Sequence, residues 1–170
     1  GVSGRSLYYT TNIEDSSGEW SRLRTKFRSV VEPGHGIRLS TDLHRLDLAT
    51  GESSLVRRHD RYISCFTVSP DERSIALVAA PDEKMISNEG ESSLELLNTE
   101  TGTTSALNND LWRKGTPSPH AWIEAPAWSP DSRRIAFRIA YDGFPPEIII
   151  ADFSGLEPVL RRLPRPLECH

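Results

Sequence analysis

The segment Thr67 to Leu77, TVSPDERSIAL, returns as Ala127 to Phe137, AWSPDSRRIAF, and this internal copy limits what the chain can fold into more than any other feature. A pattern that recurs at long spacing marks a repeat architecture, in which each copy is one supersecondary unit that cannot bury its apolar face alone. No catalytic signature of comparable clarity accompanies it.

Each copy carries the same order of parts. An apolar segment enters Ser-Pro-Asp, a few polar residues follow, and a β-type run comes next, Ile75 to Ala79 and Ile135 to Ile139. A second apolar run then ends in a turn: SLELLNTETG closes at Gly102 and EIIIADFSG at Gly155. DLHRLDLATG, closing at Gly51, belongs to the same series, with Ser6 to Thr11 as its opening strand. Pro70 and Pro130 preset the second position of a type I turn, Ser69 and Ser129 can bond the amides ahead, and Asp71 and Asp131 suit the third position. Positive φ at the fourth position favours Gly, yet Glu72 and Ser132 stand there, so some strain is expected. Gly51, Gly102 and Gly155 are expected to take positive φ, with Asp47, Asn98 and Asp152 accepting turn hydrogen bonds. Turn formation explains these aspartates better than metal ligation or acid catalysis.

WSPDSRRIAF, followed by an apolar strand and D-F-S-G, resembles the repeat of TolB-like β-propellers, and similar repeats build the propeller domains of prolyl-oligopeptidase and dipeptidyl-peptidase relatives. The resemblance is strongest from Tyr62 to Leu163. It implies an all-β fold of four-stranded antiparallel blades, with about three blades in one partial propeller or half-ring spanning 1–170. Blade 1 is expected at about 1–58, blade 2 at 59–110 and blade 3 at 120–165. With strands labelled a to d, blade 2 reads Ile63 to Val68, Ile75 to Ala80, Leu94 to Leu97 and Thr103 to Leu107. Blade 3 reads Trp122 to Trp128, Ile135 to Ala140, Glu147 to Ala151 and Pro158 to Leu163. Blade 1 starts at strand b, and Leu167 to His170 written ahead of Gly1 align with strand a of blade 3, so the C-terminal strand 166–170 is a candidate to complete a blade. Three blades are too few to close a ring, for which four to eight are typical. Either a longer propeller or a homodimer making six blades would close it.

Composition fits an all-β domain of short, half-buried strands: 36% of residues are hydrophobic, and the 12 prolines and 11 glycines are spread through turns. No apolar run is long enough to span a bilayer, so no membrane insertion is expected. A net charge of −4 gives no reason to expect nucleic acid. The basic clusters Arg22, Arg24, Lys26 and Arg28, then Arg57, Arg58 and Arg61, then Arg161, Arg162 and Arg165 read as solvated faces, the first as an exposed strand. Cys65 reads as a small core residue, and a disulfide to Cys169 is not expected.

Two regions resist the repeat. Between Thr11 and Ile37 helical and strand periods conflict, and an extended hairpin is the reading adopted; the other is Leu107 to Trp122, a long link with two tryptophans. Strand alternation puts the irregular segments on one rim: Thr11 to Gly36, Arg57 to Arg61, Pro81 to Ser93, Leu107 to Ala121 and Asp142 to Pro146. Loops on a rigid scaffold concentrate recognition residues, so His59, Arg61, Trp112, His120, Tyr141 and Asp142 are the candidate binding residues. No G-x-S-x-G, H-E-x-x-H, paired Cys-x-x-Cys or phosphate-binding glycine loop occurs, and no catalytic residue, metal ligand or cofactor is assigned.

Three functions follow. The first is a non-catalytic TolB-like module acting as a protein-protein interaction scaffold on a protein or peptide partner. The second is the propeller portion of a prolyl-oligopeptidase-like serine peptidase, and the third a metal-dependent propeller enzyme. The TolB resemblance implies a periplasmic or extracytoplasmic site and the peptidase resemblance a cytoplasmic one.

Overall fold

Alternating apolar residues and Gly-closed turns produce antiparallel sheets. A computed structural model of the chain describes residues 4–16, 18–27, 37–80, 92–114, 116–118 and 120–163. Sheet 1 joins β1 (Ser6–Ser16), β2 (Ile37–Asp47) and β3 (Ser53–His59) in that order. Sheet 2 is β4 (Ile63–Val68), β5 (Ser74–Ala79), β6 (Ser93–Asn98) and β7 (Thr104–Ala106). Sheet 3 is β8 (Ala121–Trp128), β9 (Arg134–Tyr141), β10 (Phe144–Asp152) and β11 (Val159–Arg162). All pairings are antiparallel between neighbours in sequence, as hairpin connections require. Among the described residues sheet 1 has no counterpart of β4 or β8, and residues 1–3 and 164–170, where the expected turn and the completing strand fall, lie outside the description.

The repeat is physical as well as textual. The amide after each turn acceptor donates to the equivalent arginine carbonyl in all three sheets: Leu48 to Arg5 at 3.0 Å, Thr99 to Arg73 at 3.0 Å and Phe153 to Arg133 at 2.9 Å. In the Ser-Pro-Asp turns, Ser69 and Ser129 Oγ accept the amides of Ser74 and Arg134, each at 3.0 Å. Glu72 and Ser132 take φ of 59° and 58°, the strained fourth position expected from the sequence. Asp47, Asn98 and Asp152 accept the amides ahead of them. Gly51 and Gly102 adopt positive φ, but Gly155 does not; among the described residues Gly143 also takes positive φ, at 73°.

Each sheet buries alternate residues against its neighbours. Tyr8 and Leu43 of sheet 1 pack on Ile63, Ile75, Leu77, Ala79 and Leu97 of sheet 2. The opposite face of sheet 2, Ala76, Val78 and Leu94, packs on Ile135, Phe137, Ile139 and Ile149 of sheet 3. Ile75 to Ala79 are therefore buried throughout, as for a strand covered on both faces. Polar bonds register the layers: Ile63 N–H donates to Thr41 Oγ1 at 3.0 Å, Trp128 Nε1 to the Thr67 carbonyl at 3.2 Å and Asp71 N–H to Ser132 Oγ at 3.2 Å.

Two local expectations are corrected. The basic run at 22–26 lies on α1 (Gly18–Lys26) and not on an exposed strand, while β1 and β2 pair as far as Ser16 and Ile37. The hairpin is thus extended but carries a helix after β1, because apolar Leu23 and Phe27 recur at helical spacing. Asp142 to Pro146 is not an open loop: Tyr141 pairs with Phe144, and Asp142 and Gly143 form a tight turn. No helix among the described residues is long and apolar enough to cross a membrane.

Because a left-handed residue with a Cβ is strained, Glu72→Gly should raise stability by about 0.5–1 kcal/mol, the gain being tempered by the freer unfolded chain. Urea titration checks it; a lowered midpoint would contradict the turn geometry.

Candidate functional site

The links that carry the chain from one sheet to the next, together with the ends of the second and third strands, place charged side chains along one rim. His59 ends β3, Arg61 follows it, and both reach Glu95 in the middle of β6. Glu95 Oε2 lies 3.0 Å from His59 Nε2 and Oε1 lies 2.5 Å from Arg61, while Ser93 Oγ donates to Oε1 at 3.3 Å. A carboxylate only accepts, so Nε2 of the imidazole carries the proton; in the neutral ring Nδ1 then accepts the Arg61 amide at 3.1 Å. His59 and Glu95 side chains are only 7% and 8% exposed. The hydrogen bond from His59, with Arg61 and Ser93 beside it, holds the Glu95 carboxyl below its ordinary range despite burial.

A second group forms across sheet 3. Tyr141 Oη donates to Glu147 Oε2 at 2.9 Å, Arg162 lies 3.2 Å from the same oxygen, and Arg162 also donates to the Trp112 carbonyl at 3.0 Å. Trp112, on α2 (Asp110–Arg113), is 1% exposed and sits edge-on to Phe137, with the Arg113 guanidinium over its ring. Arg113 donates to the Ser92 carbonyl at 3.1 Å, and Ser92 Oγ accepts the Ile123 amide at 2.8 Å. The neighbouring Ser93 opens β6 and belongs to the His59 group, so the two groups are joined through adjacent residues of the chain.

Of the six candidates, the structure gathers His59 and Arg61 in the first group and Trp112 and Tyr141 in the second. His120 and Asp142 are exposed on the same rim, and the His120 amide donates to Ser118 Oγ. Sequence reasoning missed Glu95, Ser93 and Glu147. Alignment of the repeats holds the missing signal: the register puts Glu95 where sheet 3 has Ile149, a charge in a core position. Arg58, read as a solvated face, makes a two-point ion pair with buried Asp42, at 2.9 and 2.8 Å.

Chemically the arrangement is two clusters of hydrogen bonds and ion pairs that hold links and strands in place. Ser93 bonds the carboxylate and not the imidazole, so Ser93, His59 and Glu95 are not wired as a nucleophile, base and orienter. Both ring nitrogens of His59 are occupied. Among the described residues no three His, Cys, Asp or Glu side chains gather where a metal ion could sit. Cys65 is free and half-buried, packed against the apolar cluster, and burial pushes its thiol up.

No family model and no curated protein matches the sequence. Solved structures do. The β-propeller domain of the Trilobed protease from Pyrococcus furiosus superposes with a TM-score of 0.57 at 16% identity, over 96% of this chain and 41% of that one. The chain is a partial β-propeller. An oligogalacturonate lyase in complex with manganese aligns with a TM-score of 0.55 at 16% identity, over 95% of this chain and 39% of the lyase. TolB from Acinetobacter baumannii aligns at 0.37 and 14% identity, over 75% of this chain and 40% of TolB. The propeller chain spans about two fifths of these neighbours, and its sheets 1 to 3 are blades 1 to 3.

Loss of Glu95 strands a buried imidazole N–H, so Glu95→Ala should cost about 2 kcal/mol. Since the folded carboxyl titrates below its unfolded value, its stabilisation is complete above the ordinary value of 4.5 and fades as pH falls through the folded value. The urea midpoint of the parent chain should therefore drop more steeply on acidification than that of Glu95→Gln; parallel curves would contradict the site.

Proposed function

We propose that this chain is a non-catalytic propeller module that binds a protein or peptide partner through the rim formed by its interblade links. The supporting observation is that the carboxylates behind this rim are taken up within the chain: Glu95 by His59, Arg61 and Ser93, and the half-buried Glu147 by Tyr141 and Arg162. Charges committed to one another in this way hold loops in place. His59, Trp112 and Tyr141 are the positioning residues of this reading. Arg61, whose side chain is 31% exposed, and the exposed His120 and Asp142 supply the contacts. Recognition by residues on links held by a rigid frame is how propellers and other scaffolds separate stability from specificity. The axial-metal alternative has no donor set among the described residues to support it.

Peptide-library selection against the immobilised chain tests the reading. Selected peptides should lose at least fivefold affinity on the double change His120→Ala and Asp142→Ala, with the circular dichroism spectrum unchanged. Binding indifferent to those changes would refute the rim, and peptide hydrolysis abolished by His59→Ala would refute the non-catalytic assignment.

A further inference from the structure

We infer that His59 makes the link between blades 1 and 2 a proton-operated switch: on taking up a second ring proton, the imidazole gives up the Arg61 amide and bonds the Arg61 carbonyl instead. The switch stands on the geometry of the link. Its consequence for a partner rests on the proposed function, because Arg61 is one of the rim contacts.

The ring is held at one nitrogen and has a choice at the other. Nε2 lies 3.0 Å from Glu95 Oε2, across the junction between the two blades. Nδ1 lies 3.1 Å from the Arg61 amide nitrogen and 3.2 Å from the Arg61 carbonyl oxygen, with the exposed Asp60 carboxylate 3.6 Å away. A donor, an acceptor and a counter-charge therefore surround one atom. The link is fixed on either side of this point, since His59 pairs with Thr41 of β2 and the Tyr62 carbonyl accepts the Ala80 amide at 2.8 Å. Adjustment is confined to the Asp60 and Arg61 peptides. The charged groups that the described residues bring to the ring are Glu95 from β6, Asp60 from the link, and Arg61, whose guanidinium shares the Glu95 carboxylate. Arg58, next along β3, is turned to Asp42.

A neutral imidazole offers one donor and one acceptor, whereas the imidazolium offers two donors. In the neutral ring Nδ1 accepts the Arg61 amide; in the charged ring an N–H would face an N–H, and that bond is lost. The carbonyl at 3.2 Å takes its place. Nε2–H keeps Glu95 in both states, and more strongly when the ring is charged. Burial disfavours the charged form of an imidazole with a single bonding pattern, but here neither state leaves a ring nitrogen without a partner. Glu95 stays ionised meanwhile, its carboxyl being held below the ordinary range, so one proton is exchanged and not two. Arg61 is where the change is felt. Its peptide turns while its guanidinium holds Glu95 Oε1 at 2.5 Å, so the exposed part of the residue shifts along the rim. A local change of charge acting on an element with two bonded arrangements is what a pH switch requires.

Nitrogen-15 spectra of the 170-residue chain from about pH 8 to 5, the range in which imidazoles change charge, test the inference. The His59 ring should have Nε2 protonated and Nδ1 bare at the upper end, and both protonated at the lower. The Arg61 amide resonance should move with the same midpoint as its acceptor is withdrawn. Glu95→Gln should lower that midpoint by about one pH unit or more, and Asp60→Asn, at an exposed position, by a smaller step. A ring that stays neutral across the range, an Arg61 amide that does not follow the ring, or a midpoint indifferent to Glu95→Gln would overturn the inference. The spectra need no partner, so absence of peptide binding would refute the rim and leave the switch, whereas a silent Arg61 amide would refute the switch and leave the rim.

Discussion

Burial of β5, the second strand of blade 2, between the two neighbouring blades is the constraint on which the molecule depends. Ile75, Leu77 and Ala79 point to blade 1, while Ala76 and Val78 point to blade 3. Neither set is covered within its own four-stranded sheet, so a single blade cannot be stable alone and the array coheres only as a stack. The polar bonds between layers, Thr41 to Ile63 and Trp128 to Thr67, add registry to an attraction that by itself has no direction.

Once the stack is set, the rim follows. Turns of type Ser-Pro-Asp and Asp/Asn-to-Gly are short and repeat their bonds almost atom for atom. They leave little room for variation on their side. The other rim carries the links, and there the chain places its buried charges. Glu95 and the half-buried Glu147 each collect an arginine and a hydrogen-bond donor: Glu95 ties the end of blade 1 to a strand of blade 2, and Glu147 joins Tyr141 to Arg162 across blade 3. Buried carboxylates with every partner in place tolerate low dielectric surroundings, and their geometry is correspondingly demanding.

Much of this was legible from the residues. Strands b of blades 2 and 3 were read to within a residue or two, and the strain at Glu72 and Ser132 followed from missing glycines in a known turn. The helix after β1 was not, because Leu23 and Phe27 satisfy both periods and only the surrounding contacts choose between them. Gly155 was misread because a turn with Asp152 at its head can close without positive φ. The candidate residues His59, Arg61, Trp112 and Tyr141 were chosen for lying on links. Their partners Glu95 and Glu147 sit inside strands, where a single chain read without comparing repeats looks like ordinary β-structure.

By itself, the sequence determined the repeat, the hairpin turns and the alternation that gives each strand two faces, since all three arise from neighbours a few residues apart. Only the tertiary structure decided which charges meet. His59 and Glu95 are far apart along the chain, and their 3.0 Å contact exists because blade packing brings a link against the middle of a strand.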